Sequence, residues 1–133
     1  MPIRSLLHPR SIAIVGASEK VGPGFNAFKA LEFVGYEGEI FLVNPRSPEL
    51  FGRKTYASLE DIPNDVDAVF VAVQADSVLD LARQAARKGV GGLAILSSGF
   101  GETEDGKDAQ RELARICEAS DIAVCGPNCL GLL

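Results

Sequence analysis

Five short apolar runs separated by helical periodicities predict an α/β fold: a Rossmann-like doubly wound parallel sheet of five main strands with helices on both faces. Three observations carry this. The runs at 12–16, 39–43, 67–73, 92–96 and 122–125 show no polar alternation, so each is expected to be buried on both sides. The segments between several of them repeat apolar residues three or four positions apart, as one face of a helix does. Glycines and capping residues mark the changeovers. Right-handed crossovers then predict the strand order 3-2-1-4-5.

Ile12-Ala-Ile-Val-Gly16 is the first strand, and a turn-rich loop at 17–24 follows. Phe25, Phe28, Leu31 and Val34 share a helical face, with Gly35 as the stop. Glu39–Val43 is the second strand, closed by Asn44-Pro45-Arg46, and 47–57 reads as irregular because of Pro48 and Gly52. Ser58-Leu-Glu-Asp61 has a capping-box pattern for one helical turn. Asp67–Val73 is the third strand. Asp76 or Ser77 is expected to cap a helix whose Val78, Leu81, Ala82 and Ala85 face inward and which ends at Lys88-Gly89. Gly92–Leu96 is the fourth strand. A helix over about 105–119 turns Ala109, Leu113, Ile116 and Cys117 to one side, and Ile122–Cys125 is the fifth strand.

The chain of 133 residues is 47% hydrophobic and 23% charged, the balance of one folded domain, 1–133. It ends almost on its last strand, so it is expected to be a piece of a longer multidomain polypeptide. The net charge of −5 argues against nucleic acid as partner. No apolar run approaches the ~18 residues of a membrane-spanning helix, so no membrane partner is expected. Met-Pro-Ile-Arg does not open a signal peptide. Three cysteines are too few and too odd for a disulfide framework, which favours a cytoplasmic setting. The acid is uneven: net −1 over 1–66 and −4 over 67–133, so an anion is better received in the first half.

Ligands of open parallel sheets bind beyond the carboxyl ends of the strands, where strand order reverses. The first such loop carries Gly16, Ala17, Ser18, Lys20, Gly22 and Gly24, and feeds a helix at Phe25. It reads either as a diphosphate cradle on a helix N-terminus or as a turn needing small residues for packing. Its spacing is not the dinucleotide fingerprint G-x-G-x-x-G. The second loop lacks the carboxylate that holds the ribose of NAD; Asn44-Pro45-Arg46 offers a cation instead. Arg46 is either a phosphate partner, for the 3′-phosphate of coenzyme A or the 2′-phosphate of NADP, or a surface arginine. Val73-Gln74-Ala75 offers backbone and an amide at a third strand end, and Ser97–Glu102 is small and polar around Phe100.

Gly16-Ala-Ser18, Val43-Asn-Pro-Arg46, Ser98-Gly-Phe-Gly-Glu102 and Gly126-Pro-Asn-Cys-Leu-Gly131 stand in the order and spacing of a known family. Over about Ser5 to Leu133 the chain resembles the N-terminal CoA-binding domain of NDP-forming acyl-CoA synthetases. The similarity extends to the succinyl-CoA synthetase alpha subunit and to protein acetyltransferases with the same module. The resemblance implies that coenzyme A or acyl-CoA is the bound substrate. Gly16, Ser18, Lys20 and the 22–25 turn would face its diphosphate, and Asn44, Pro45 and Arg46 its 3′-phosphate end. Val73, Gln74 and Ala75 would line the adenine side, with Gln74 where the family commonly has proline. Ser98, Gly99 and Asn128 would lie near the pantetheine path. It also implies further synthetase domains or subunits, an ATP-grasp domain among them, and a phosphohistidine on a domain this chain lacks. An NADP-binding oxidoreductase or nucleotide sensor, and a CoA-responsive acetyltransferase module, are the alternatives.

No catalytic or metal-binding set is expected within the chain. His8, the one histidine, lies beside Pro9 with no base–orienter arrangement. Cys117, Cys125 and Cys129 read as buried apolar residues, one ligand short of a structural zinc site. Glu102, Glu104, Asp105 and Asp108 suit the positive end of a helix better than acid–base work.

Overall fold

The computed structural model describes residues 8–96 and 104–125. The elements are β1 (Ser11–Val15), α1 (Pro23–Phe33), β2 (Glu39–Val43), β3 (Glu49–Leu50), β4 (Arg53–Tyr56), a 3₁₀ turn at Leu59–Asp61, β5 (Ala68–Val71), α2 (Ala75–Lys88), β6 (Gly92–Ile95), α3 (Glu104–Ala119) and β7 (Ala123–Cys125). All seven strands form one sheet, ordered β3-β4-β2-β1-β5-β6-β7. Every pairing is parallel except the β3–β4 hairpin.

The expected strand order is therefore corrected. The run at 68–71 lies on the far side of β1 from β2, and the place beyond β2 belongs to β4, within the stretch read as irregular. Only Leu50 and Thr55 of β3 and β4 are buried, because this hairpin is the sheet's edge. An edge strand needs no apolar run, so Arg53-Lys-Thr-Tyr56 gives little periodic signal.

The apolar strands are buried on both faces, as their composition requires. In β1, Ile12 and Ile14 pack with Phe28 and Leu31 of α1 on one side. Ala13 and Val15 pack with Val78, Leu81 and Ala82 of α2 on the other, where Leu113 and Cys117 of α3 join them. This follows from right-handed crossovers: β1 to β2 runs one way across the sheet and β5 to β6 the other, so their helices land on opposite faces. At 25 cal/mol per Å², each fully buried Ile, Leu or Val in these strands contributes about 1.5–3 kcal/mol.

Helix ends differ in detail from expectation. α1 starts two residues earlier than Phe25, with Pro23 in its first turn, and Phe33 and Val34 at its end are exposed. Its stop at Gly35 is as expected: Tyr36 N–H donates to Leu31 O at 3.0 Å and Gly35 N–H to Glu32 O at 3.1 Å. Because β5 ends at Val71, α2 begins at Ala75 with Gln74 as its N-cap, so Asp76 and Ser77 lie inside the helix rather than capping it. The Ser58 side chain makes no cap bond; its carbonyl accepts from Asp61 N–H at 3.2 Å instead. Cys117 is a buried free thiol, and burial pushes its pKa up. Cys125, on the sheet's other edge, is only partly covered and is disulfide-bonded, which corrects the buried-thiol reading there. Among the described residues no helix is long and apolar enough to cross a membrane.

Candidate functional site

Sheet order reverses between β1 and β5, so the crevice lies between the loops that follow them. β1 is held at its carboxyl end from both sides. Gly16 N–H and Ala17 N–H both donate to Val43 O, at 3.1 and 3.3 Å, and Ala72 N–H donates to Val15 O at 2.8 Å. The loops after β1, β2 and β5 thus form one rim.

The three glycines of the first loop do different work. Gly16 has φ +92, and a Cβ there would stand 2.5 Å from Ala72 O. A Cβ on Gly24 would stand 2.2 Å from Gly16 O. Both residues are glycine so that α1 and β5 can close on the end of β1. Gly22 is different: among the described residues its Cβ would meet nothing nearer than Lys20 O at 4.0 Å. The packing reading of the loop holds for Gly16 and Gly24, and Gly22 is the one with open space beside it.

That space adjoins the N-terminus of α1. Gly22 is the N-cap and has no side chain to give, Pro23 has no N–H, and the first turn has no acidic residue. The positive end of the helix dipole is therefore neither capped nor neutralised by its own sequence. α2, at the other wall of the crevice, carries Asp76 in its first turn. Of the two helices, α1 is the one whose first turn carries no acidic residue.

Polar side chains of the rim mostly hold the loops in shape. Ser18 Oγ accepts from Lys20 N–H at 2.9 Å. Glu19 Oε1 accepts from Phe51 N–H at 2.7 Å and ties the loop to the tip of the β3–β4 hairpin. Asn44 Nδ2 donates to Ala17 O at 2.9 Å, while its Oδ1 accepts from Arg46 N–H at 2.7 Å and Ser47 N–H at 3.2 Å. Lys20, Pro45, Arg46 and Gln74 are exposed, and neither Lys20 nor Arg46 forms an ion pair with any described residue. Val73 is partly buried and Ala75 opens α2. His8 is exposed. No group of three metal-ligating side chains occurs among the described residues. Ser98, Gly99 and Asn128, with the 98–102 and 126–131 motifs, lie outside the described residues.

The hairpin tip is the part of this region that sequence reasoning missed. Phe51 has a positive φ of 54 and stacks on Phe28 of α1 with ring centroids 4.2 Å apart. Lys29 Nζ lies 5.4 Å from the Phe51 centroid, and the Arg53 guanidinium 5.6 Å from that of Phe28. The available signal was Phe51-Gly52 between Leu50 and Arg53, a two-residue turn between short flanks.

Residues 10–133 match the family described as CoA binding domain. The chain is 40% identical over 133 residues to acetate–CoA ligase [ADP-forming] II of Archaeoglobus fulgidus, covering 98% of this chain and 20% of that protein. It is 38% identical over 129 residues to the alpha subunit of acetate–CoA ligase [ADP-forming] II of Pyrococcus furiosus, covering 95% of this chain and 28% of the subunit. Among solved structures it superposes with a TM-score of 0.88 and 32% identity on an acetyl-coenzyme A synthetase of Ca. Korarchaeum cryptofilum solved with phosphate and ADP, covering 96% of this chain and 28% of that one. The chain thus spans under a third of each of these proteins. With the uncapped α1 terminus at a parallel-sheet switch point and a family match over nearly its whole length, this chain belongs to the CoA-binding domain family.

Proposed function

We propose that this domain holds coenzyme A, or its acyl thioester, for an ADP-forming acyl-CoA synthetase, and that phosphoryl transfer takes place on further domains or subunits, an ATP-grasp domain among them. The observation that carries the reading is the N-terminus of α1, which has no acidic residue in its first turn and, among the described residues, open space beside Gly22; Lys20 and Arg46 on the same rim have no ion-pair partners among the described residues. A diphosphate suits that place: the amides of Gly24 and Phe25 donate to it, the helix dipole favours its charge, and Lys20 adds a cation from the rim. Arg46, one loop away, takes the 3′-phosphate through its planar fork. Val73, Gln74 and Ala75 flank the adenine, and Ser98, Gly99 and Asn128 the pantetheine arm.

The residue after β2 is Asn44, whose side chain is turned to Ala17 O, so no carboxylate waits for a ribose 2′-hydroxyl pair as in an NAD site. Titration calorimetry of the chain with CoA, NADPH and ATP, each alone, tests the ligand. CoA is expected to bind most tightly; tighter binding of NADPH would overturn the assignment.

A further inference from the structure

Among the described residues, Asn44 is the one side chain whose hydrogen bonds join the loop after β1 to the loop after β2. Its amide nitrogen donates to Ala17 O, 27 residues away in the β1–α1 loop. Its amide oxygen accepts from Arg46 N–H and Ser47 N–H, closing a local turn that fixes the backbone carrying the Arg46 side chain. With both ends of the amide so engaged, both acceptor positions of its oxygen and one of its two N–H donors are used within the protein. We infer that Asn44 is a positioning residue: it sets the distance between the diphosphate loop and Arg46, and so lets one ligand span both.

This rests on the coenzyme A reading, and it makes a claim that reading does not. A ligand with phosphates at two points gains from both only when the two loops are preset at the right separation. Loosening the turn at Arg46 should then erase the preference for CoA over dephospho-CoA, although Arg46 is still present. Loosening only the bond to Ala17 should weaken both ligands together. Two substitutions separate the halves. Asn44→Ala removes all three bonds. Asn44→Ser keeps an oxygen able to accept from the amide two residues on, but is too short to reach Ala17 O.

The experiment is calorimetry of the chain with CoA and with dephospho-CoA, for wild type, Asn44→Ser, Asn44→Ala, Arg46→Ala and the Asn44→Ala/Arg46→Ala pair. Wild type must prefer CoA; if it binds neither ligand, the coenzyme A reading itself fails. Given that preference, Asn44→Ser should lose affinity several-fold for both ligands alike and keep the preference. Asn44→Ala should lose the preference, and the double variant should discriminate no worse than either single one, the mark of two residues acting as a unit. Wild-type discrimination in Asn44→Ala, or wild-type affinity in Asn44→Ser, overturns the inference. Should Asn44→Ala fail to fold, Asn44→Ser against Arg46→Ala still decides: loss of the preference in Asn44→Ser contradicts the division of labour between the two ends of the amide.

Discussion

Gly24 on α1 and Gly16 at the end of β1 approach so closely that a single added methyl on Gly24 would sit 2.2 Å from the Gly16 carbonyl oxygen. This contact sets how near the helix N-terminus lies to the sheet's carboxyl rim. Since backbone meets backbone, no side chain can move aside. Gly24→Ala is expected to lower stability by about 1–3 kcal/mol, the usual range for overpacking. Gly22→Ala, where φ is extended and the nearest atom is 4.0 Å off, should leave the urea midpoint nearly unchanged and weaken the ligand only. Chemical unfolding of both variants checks the pair; equal midpoints would show that the helix is free to shift.

Arg46→Ala should weaken CoA on the order of tenfold or more and leave dephospho-CoA almost untouched, because the lost pair is with the 3′-phosphate. Calorimetry with the two ligands reads it directly. Equal losses would put the arginine elsewhere on the rim.

Glu19 carries the link between the first loop and the hairpin. Glu19→Gln keeps an acceptor for Phe51 N–H and removes a negative charge beside the proposed anion site, so it should bind CoA more tightly, most visibly at low salt. Glu19→Ala loses the bond as well and should unfold at a lower urea concentration than Glu19→Gln. Identical midpoints would show that the hairpin tip is held by the Phe28–Phe51 stack alone.

Tyr36 lies at the opposite end of the sheet, where its hydroxyl donates to Pro9 O at 2.9 Å. Burial, with Asp67 and Glu39 nearby, raises its pKa above the ordinary tyrosine value. The folded chain then keeps this proton at pH values where the unfolded chain has lost it. Stability is present in full below the unfolded value and falls as pH climbs from there through the folded one. Tyr36→Phe should flatten that alkaline decline; a slope equal to wild type would assign the loss to other groups.

The elements legible in the sequence were those whose environment is uniform. β1, β5 and β6 are covered on both faces, and Ile12–Val15, Val69–Val71 and Leu93–Ile95 are accordingly apolar throughout. The β3–β4 hairpin is an edge, and Arg53 and Lys54 meet solvent, so composition hid it; its omission then misplaced the strand at 68–71 in the sheet order. At the rim the residue types were legible and their division of labour was not. Nothing in the spacing separates Gly24, which closes a helix onto a strand, from Gly22, which has open space beside it among the described residues. Nor does it show that Asn44 spends its amide on Ala17 and Arg46. Those distinctions arise from loops that are far apart in the chain and meet only once the sheet has formed.

On the proposed reading, the α1 N-terminus grips a diphosphate. The most direct measurement is backbone amide NMR of the wild-type chain titrated with CoA. The largest shifts are expected at Gly22, Gly24 and Phe25, with a second set at Arg46 that dephospho-CoA fails to reproduce. Shifts confined to the opposite rim, around Arg10 and Asp67, or none at Gly24 and Phe25 at saturation, would contradict it.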